Sequence, residues 1–228
     1  MAHQEPQAPQ ALQESTGART APTVGFDLDM TLIDSRPGIR AVYVALTAET
    51  GVPIDADLAV SRLGPPLEHE IAEWFPAERV DEMVARYRAL YPAYAIETSL
   101  PLPGARDAIQ AVRDAGGRTL VVTAKNEPHA RRHLDHLGIE PDEVIGGLWA
   151  EGKATALRAH GAGVYVGDHL GDVRGAEAAG ALSVAVATGP YTPEELRAGG
   201  ADVVLTDLTD FRAWWAGHLD GGVAGNGA

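Results

Sequence analysis

Val24-Gly-Phe-Asp-Leu-Asp-Met-Thr31 is a short apolar run that breaks off into two carboxylates and a hydroxyl. A run that is short and does not alternate predicts a strand covered on both faces, feeding a loop at its carboxyl end. Four further runs have the same character: Arg118-Thr-Leu-Val-Val-Thr123, Gly163-Val-Tyr-Val-Gly167, Leu182-Ser-Val-Ala-Val-Ala187 and Asp202-Val-Val-Leu-Thr206. Helical patterns lie between them over residues 105–115, 127–137, 153–160 and 171–179, stopped by Gly116, Gly138, Gly161 and Gly180 where a helix end favours glycine. Strands alternating with helices predict an α/β fold with a Rossmann-like open parallel sheet.

Between the first and second strands the pattern becomes helical only. Ile39, Val42, Tyr43 and Leu46 share one face, Leu67, Ile71 and Trp74 another, and Val80, Met83, Val84, Tyr87 and Leu90 a third. This stretch is too long for a strand-to-helix loop and predicts an inserted all-helical cap subdomain over 36–100. Its exits, Asp34-Ser-Arg-Pro37 and Leu100-Pro-Leu-Pro-Gly104, read as hinges. The expected division is a discontinuous core over 21–35 and 101–218, the cap over 36–100, and disordered tails over 1–20 and 219–228.

The 228 residues carry 32 acidic and 18 basic side chains, a formal charge of −14. That balance excludes a nucleic-acid or anionic-membrane partner, since both need clustered basic residues. The absence of cysteine excludes disulfides, thiolate metal sites and a cysteine nucleophile. No window has the length of apolar sequence that a membrane span needs, so a cytoplasmic protein is expected; monomer and homodimer both stay open, since the insert's apolar faces and Trp214-Trp215 serve either a dimer or internal packing.

In an open α/β sheet the working side chains stand on loops at the carboxyl ends of the strands. Those loops carry Asp27, Asp29 and Thr31, then Thr123, Lys125 and Asn126, then Gly167, Asp168 and Asp172. Several carboxylates converging on one spot repel one another unless a cation sits among them, and hard oxygen donors without His or Cys favour Mg²⁺. One carboxylate can attack a phosphoryl group while a second, two residues on and facing the same side of an extended chain, protonates the leaving oxygen. Lys153, at the start of a helix, can supply positive charge for an entering phosphate, and the Thr123 hydroxyl can complete the cradle.

Asp27-Leu-Asp-Met-Thr31 resembles the first signature of the haloacid dehalogenase-like superfamily, with Thr123, Lys153 and Gly167-Asp168-x-x-x-Asp172 as the second, third and fourth. The helical insert, with Arg62-Leu-Gly-Pro-Pro-Leu67 and the later Thr188-Gly-Pro-Tyr-Thr-Pro-Glu-Glu-Leu196, is similar to the phosphoglycolate phosphatase-like branch with a small helical cap. The resemblance implies Asp27 as a nucleophile that becomes an aspartyl-phosphate and Asp29 as acid/base. It also implies Mg²⁺ held by Asp27, the main-chain carbonyl of Asp29 and Asp168, with Asp172 a further ligand or an orienter of Lys153. Met30 stands where glycine is most common and is expected to narrow the pocket entrance. His169, where small or hydroxyl residues are frequent, is expected either to touch the metal shell or to face solvent.

The expected activity is hydrolysis of a small phosphorylated metabolite: glycolate phosphate, a nucleotide, pyrophosphate or a sugar phosphate. A phosphomutase of the β-phosphoglucomutase type shares the same core and stays open. A dehalogenase lacks the acid/base that Asp29 provides, and a phosphonate hydrolase of this kind needs a cap lysine, which residues 36–100 do not contain. A non-catalytic binding protein on the same fold is disfavoured because every signature residue is retained. Lys125 reads equally as a phosphate neighbour or an exposed loop lysine, and Arg62 as a contact to the distal part of a substrate or a partner of a surface acid. His129, His133 and His136 recur at helical spacing, but Ala130, Leu134 and Leu137 already define a buried stripe, which predicts the histidines on its solvated flank. Trp214-Trp215 reads as a packed terminal helix.

Overall fold

The computed structural model describes residues 21–224; the expected tail over 1–20 lies outside them. β1 (Thr23–Phe26) is fully buried and pairs in parallel with β4 (Arg118–Val122) on one side and β6 (Val164–Gly167) on the other. With β5 (Glu143–Ile145), β7 (Leu182–Val186) and β8 (Val203–Leu205) these form a six-stranded sheet ordered β5-β4-β1-β6-β7-β8, in which every pairing is parallel. The chain winds outward from β1 in opposite directions, so the carboxyl ends of β1, β4 and β6 surround the point where the winding reverses.

Strand pleating divides the apolar side chains between two faces. Val24, Phe26, Val121, Val166 and Val184 face α5 (Ala105–Asp114), α6 (Glu127–Leu137) and α10 (Phe211–Ala224). Leu120, Val122 and Tyr165 pack in a separate cluster with Leu157 of α7 (Lys153–Ala159) and Ala176 of α8 (Leu170–Ala179). A short helix, α9 (Pro193–Ala198), precedes β8. α10 continues past residue 219, where its glycines predict an end. Phe211 and Trp215 bury its first turns, and each further residue then adds a backbone hydrogen bond to a helix already nucleated.

The insert consists of α1 (Arg36–Thr50), α2 (Ala56–Ser61), α3 (Leu67–Ala72) and α4 (Val80–Tyr94) around a core of its own, including Ile39, Val42, Tyr43, Leu46, Ile71, Met83, Val84 and Tyr87. The two exits expected as free hinges pair with each other: β2 (Ile33–Asp34) and β3 (Leu100–Pro101) form a two-residue antiparallel ladder at the stem. Among the described residues no helix is long and apolar enough to cross a membrane.

Candidate active site

The Asp27 N–H donates to the Val166 carbonyl at 2.8 Å, which anchors Asp27 at the carboxyl edge of the sheet between β1 and β6. β1 has already ended at Phe26, so Asp27 and Asp29 do not share a strand face as strand alternation predicts. The N–H groups of Thr31, Leu32 and Ile33 all point to the Leu28 carbonyl, and Met30 takes a left-handed φ of 59°, folding the segment into a tight turn. Both carboxylates still line one cavity of about 330 Å³ between sheet edge and insert. Met30 is buried away from that cavity, in a smaller recess with Leu63, Gly189 and Pro190, and so does not narrow its entrance.

Asp27, Asp168 and Asp172 are buried, and one oxygen from each lies within 4.8 Å of the other two. Lys153 is fully buried with them, its Nζ 2.6 Å from Asp172 Oδ1, 3.2 Å from Asp27 Oδ1 and 2.8 Å from the Tyr165 hydroxyl. Burial opposes the Lys153 charge, but Asp172 and then Asp27 outweigh it and raise its pKa. One ammonium does not balance the carboxylates. Burial raises Asp27 to about 7 despite Lys153, with Asp172 and Asp29 adding to the rise, and burial, Asp172 and Asp27 hold Asp168 well above the usual range.

Asp172 is the third residue of α8, where its Oδ2 accepts from the His169 N–H. His169 neither faces solvent nor joins the carboxylates. It is buried between Trp149 and Tyr191, and its Nδ1 accepts from the Gly171 N–H, capping the helix. Thr31 does not line the cavity; its hydroxyl donates to Asp168 Oδ1 at 2.7 Å. Gly167 and Gly189 matter through the space they leave: a Cβ on Gly167 would overlap the Asp172 carboxylate, and one on Gly189 would overlap that of Asp168.

Thr123, Lys125, Asn126 and Arg62 line the cavity. The Thr123 hydroxyl accepts from the Lys125 N–H at 3.2 Å. Lys125 is no exposed loop lysine, since its side chain is 7% exposed and its Nζ lies 3.0 Å from Asp29 Oδ1. Arg62 lines the cavity and pairs with an acid, Glu70, through two bonds of 3.1 and 2.6 Å. His129 and His133 are buried, against the solvated flank expected of them. Ala130 and Leu134 face the sheet, but the neighbouring flank of α6 meets Tyr91 of the insert, whose ring stacks on His129 at 4.5 Å and meets His133 edge-on. His136 alone of the three is exposed.

The family model of haloacid dehalogenase-like hydrolases matches residues 24–177, a span that holds Asp27, Asp29, Thr123, Lys125, Lys153, Asp168 and Asp172. The chain belongs to this family. A second model, for haloacid dehalogenase hydrolase-like proteins, matches residues 153–211. The tyrosine-protein kinase PtkA of Mycobacterium tuberculosis is 35% identical over 178 residues, 72% of this chain; the match spans only 61% of that protein's length. The phosphoglycolate phosphatase of Caulobacter vibrioides is 30% identical over 217 residues, 82% of this chain and 88% of that one. A haloacid dehalogenase-like hydrolase from Streptococcus pneumoniae superposes with a TM-score of 0.76 at 25% identity, over 85% of this chain and 98% of that one.

Proposed function

We propose that the chain is a Mg²⁺-dependent phosphatase acting on a small phosphomonoester through an aspartyl-phosphate on Asp27. The observation that carries this reading is the buried trio Asp27, Asp168 and Asp172 beside the buried ammonium of Lys153, with Asp27 of that trio lining the cavity. The similarity to the Caulobacter phosphoglycolate phosphatase supports the substrate class. The residues fit a divalent cation: Asp27 Oδ1 is buried with no aligned hydrogen-bond donor, and Asp27 and Asp168 both sit above their ordinary pKa. The Asp27 and Asp168 carboxylates and the Asp29 carbonyl would hold Mg²⁺, with Asp172 occupied mainly in orienting Lys153. Bound there, the ion supplies positive charge that keeps Asp27 ionised and offsets the charge of the phosphoryl oxygens.

An Asp27 carboxylate oxygen attacks phosphorus, the bond from phosphorus to the ester oxygen breaks, and Asp29 gives that oxygen its proton. Asp29, now a carboxylate, then takes a proton from water as that water attacks the aspartyl-phosphate. Phosphate leaves and Asp27 is restored. Lys153 stays paired with Asp172 and Asp27 and holds both in place. Asp27→Asn should lower turnover of a generic phosphomonoester by roughly three orders of magnitude or more, as loss of a nucleophile does; wild-type turnover would remove Asp27 from that role. A requirement for a sugar bisphosphate would reassign the activity to a phosphomutase.

A further inference from the structure

We propose that Tyr91, contributed by the insert, is a positioning residue for Asp29: its hydroxyl holds Lys125 against one oxygen of Asp29, so that the other oxygen is presented to the leaving group. This rests on the reading of Asp29 as the acid. Two donors converge on Asp29 Oδ1, the Ser35 hydroxyl and Lys125 Nζ. Among the hydrogen bonds of the described residues none engages Oδ2, and Asp29 lines the cavity with 18% of its side chain exposed. Anchoring one oxygen twice leaves the second to carry the proton and fixes its direction.

Lys125 is itself held in place. Its Nζ donates to the Tyr91 hydroxyl at 2.6 Å and lies 4.7 Å from the centre of the Tyr91 ring. Because an ammonium has only donors, the phenol oxygen must accept this bond and direct its own proton elsewhere. His133 Nε2 lies 2.9 Å away. Burial, and then the Lys125 charge, push His133 down to about 3, so its ring is neutral, and the tautomer protonated on Nδ1 gives Nε2 the lone pair that the phenol proton requires. The bonds therefore run one way, from Lys125 to Asp29 and to Tyr91, and from Tyr91 to His133. Stacking on His129 and contact with Tyr87 fix the Tyr91 ring.

The test compares two substrates whose leaving groups differ in their need for a proton. Tyr91→Phe keeps the ring and removes only the hydroxyl. General-acid assistance contributes about 10²–10⁴-fold, and a misdirected acid forfeits part of it. The expected result is a fall in kcat/KM of roughly 10–100-fold on glycerol 2-phosphate, whose alkoxide must be protonated, with a change under about threefold on 2,4-dinitrophenyl phosphate, whose phenolate departs unaided. Since kcat/KM reports only the steps up to leaving-group departure, later hydrolysis of the aspartyl-phosphate does not blur the comparison. His133→Gln, which keeps the tyrosine, should show the same selectivity and serves if Tyr91→Phe folds poorly. An equal loss on both substrates, or no loss on either, overturns the positioning role. Asp29→Asn separates this from the parent reading: if it spares glycerol 2-phosphate, Asp29 is not the acid, whatever Tyr91 does.

Discussion

Lys153 Nζ is bonded to Asp172 Oδ1 at 2.6 Å, and neither side chain meets solvent appreciably. The lysine expected to receive phosphate is buried and makes its shorter bond to a helix N-terminal carboxylate, with Asp27 more distant at 3.2 Å. Removing one partner of such a pair strands the other charge in a low-dielectric interior. Lys153→Met should cost about 3–5 kcal/mol in urea unfolding. Combining it with Asp172→Asn should be less than additive by about 0.5–3 kcal/mol, since the second change removes a charge the first has orphaned; strict additivity would mean the two side chains do not act as a pair.

Thr31 donates to Asp168 at 2.7 Å inside the protein. Thr31→Val keeps the shape and deletes the donor. Loss of a partner that orients a metal-ligating carboxylate should weaken Mg²⁺ affinity about 10–100-fold. Titration of Mg²⁺ against activity checks this; an unchanged midpoint would mean Asp168 holds its orientation without the threonine.

Two buried histidines make stability depend on acidity. Burial, then Lys125, lowers His129 to about 4 and His133 to about 3; Arg132 and Arg88 add to the fall at His129, and His129 and His136 to that at His133, while Asp29 opposes it there. Between those values and the ordinary value near 6.5 the unfolded chain binds protons that the folded one refuses. Stability from these groups is therefore complete above about pH 6.5 and declines below it, by up to about 1.4 kcal/mol per pH unit for each histidine. Denaturation of wild type and His133→Leu at pH 7.5, 6 and 5 isolates one of them, and the variant should show the shallower decline. Parallel declines would show that His133 is not held neutral by the fold.

Saturating Mg²⁺ should raise the unfolding midpoint, because the cation relieves repulsion among Asp27, Asp168 and Asp172 that exists only in the folded chain. At a hundredfold excess over Kd the gain is about 2.7 kcal/mol. Asp168→Asn should lose most of that gain, and a full gain in the variant would place the ion elsewhere.

The sheet was legible because buried parallel strands are continuous apolar runs: Arg118–Val122, Val164–Gly167 and Leu182–Val186 stand within a residue of the runs read from sequence. Glu143–Ile145 was not, since three residues opening on a glutamate at a sheet edge carry too little pattern. The stem ladder of β2 and β3 escaped for a related reason, its two pairs joining residues more than sixty positions apart. Within the site, the side chains at strand ends were found from order and spacing. Their partners were not: helical periodicity reveals the face turned to the sheet, but the second face of α6 is covered by Tyr91 from a distant part of the chain. His129 and His133 therefore looked like surface residues. The spacing of His129 and His133 at i and i+4 was the available signal, and nothing local in it distinguished burial from exposure.

The ladder between β2 and β3 has one more consequence. Because Ile33 is paired with Pro101 and Asp34 with Leu100, the two chain crossings into the insert are fastened to each other before they reach it. The helices beyond are carried on a single pivot. With a core of their own and a common stem, they form a unit exchangeable in one piece, so that a relative's insert, spliced at the paired residues, would reach this sheet from the same place.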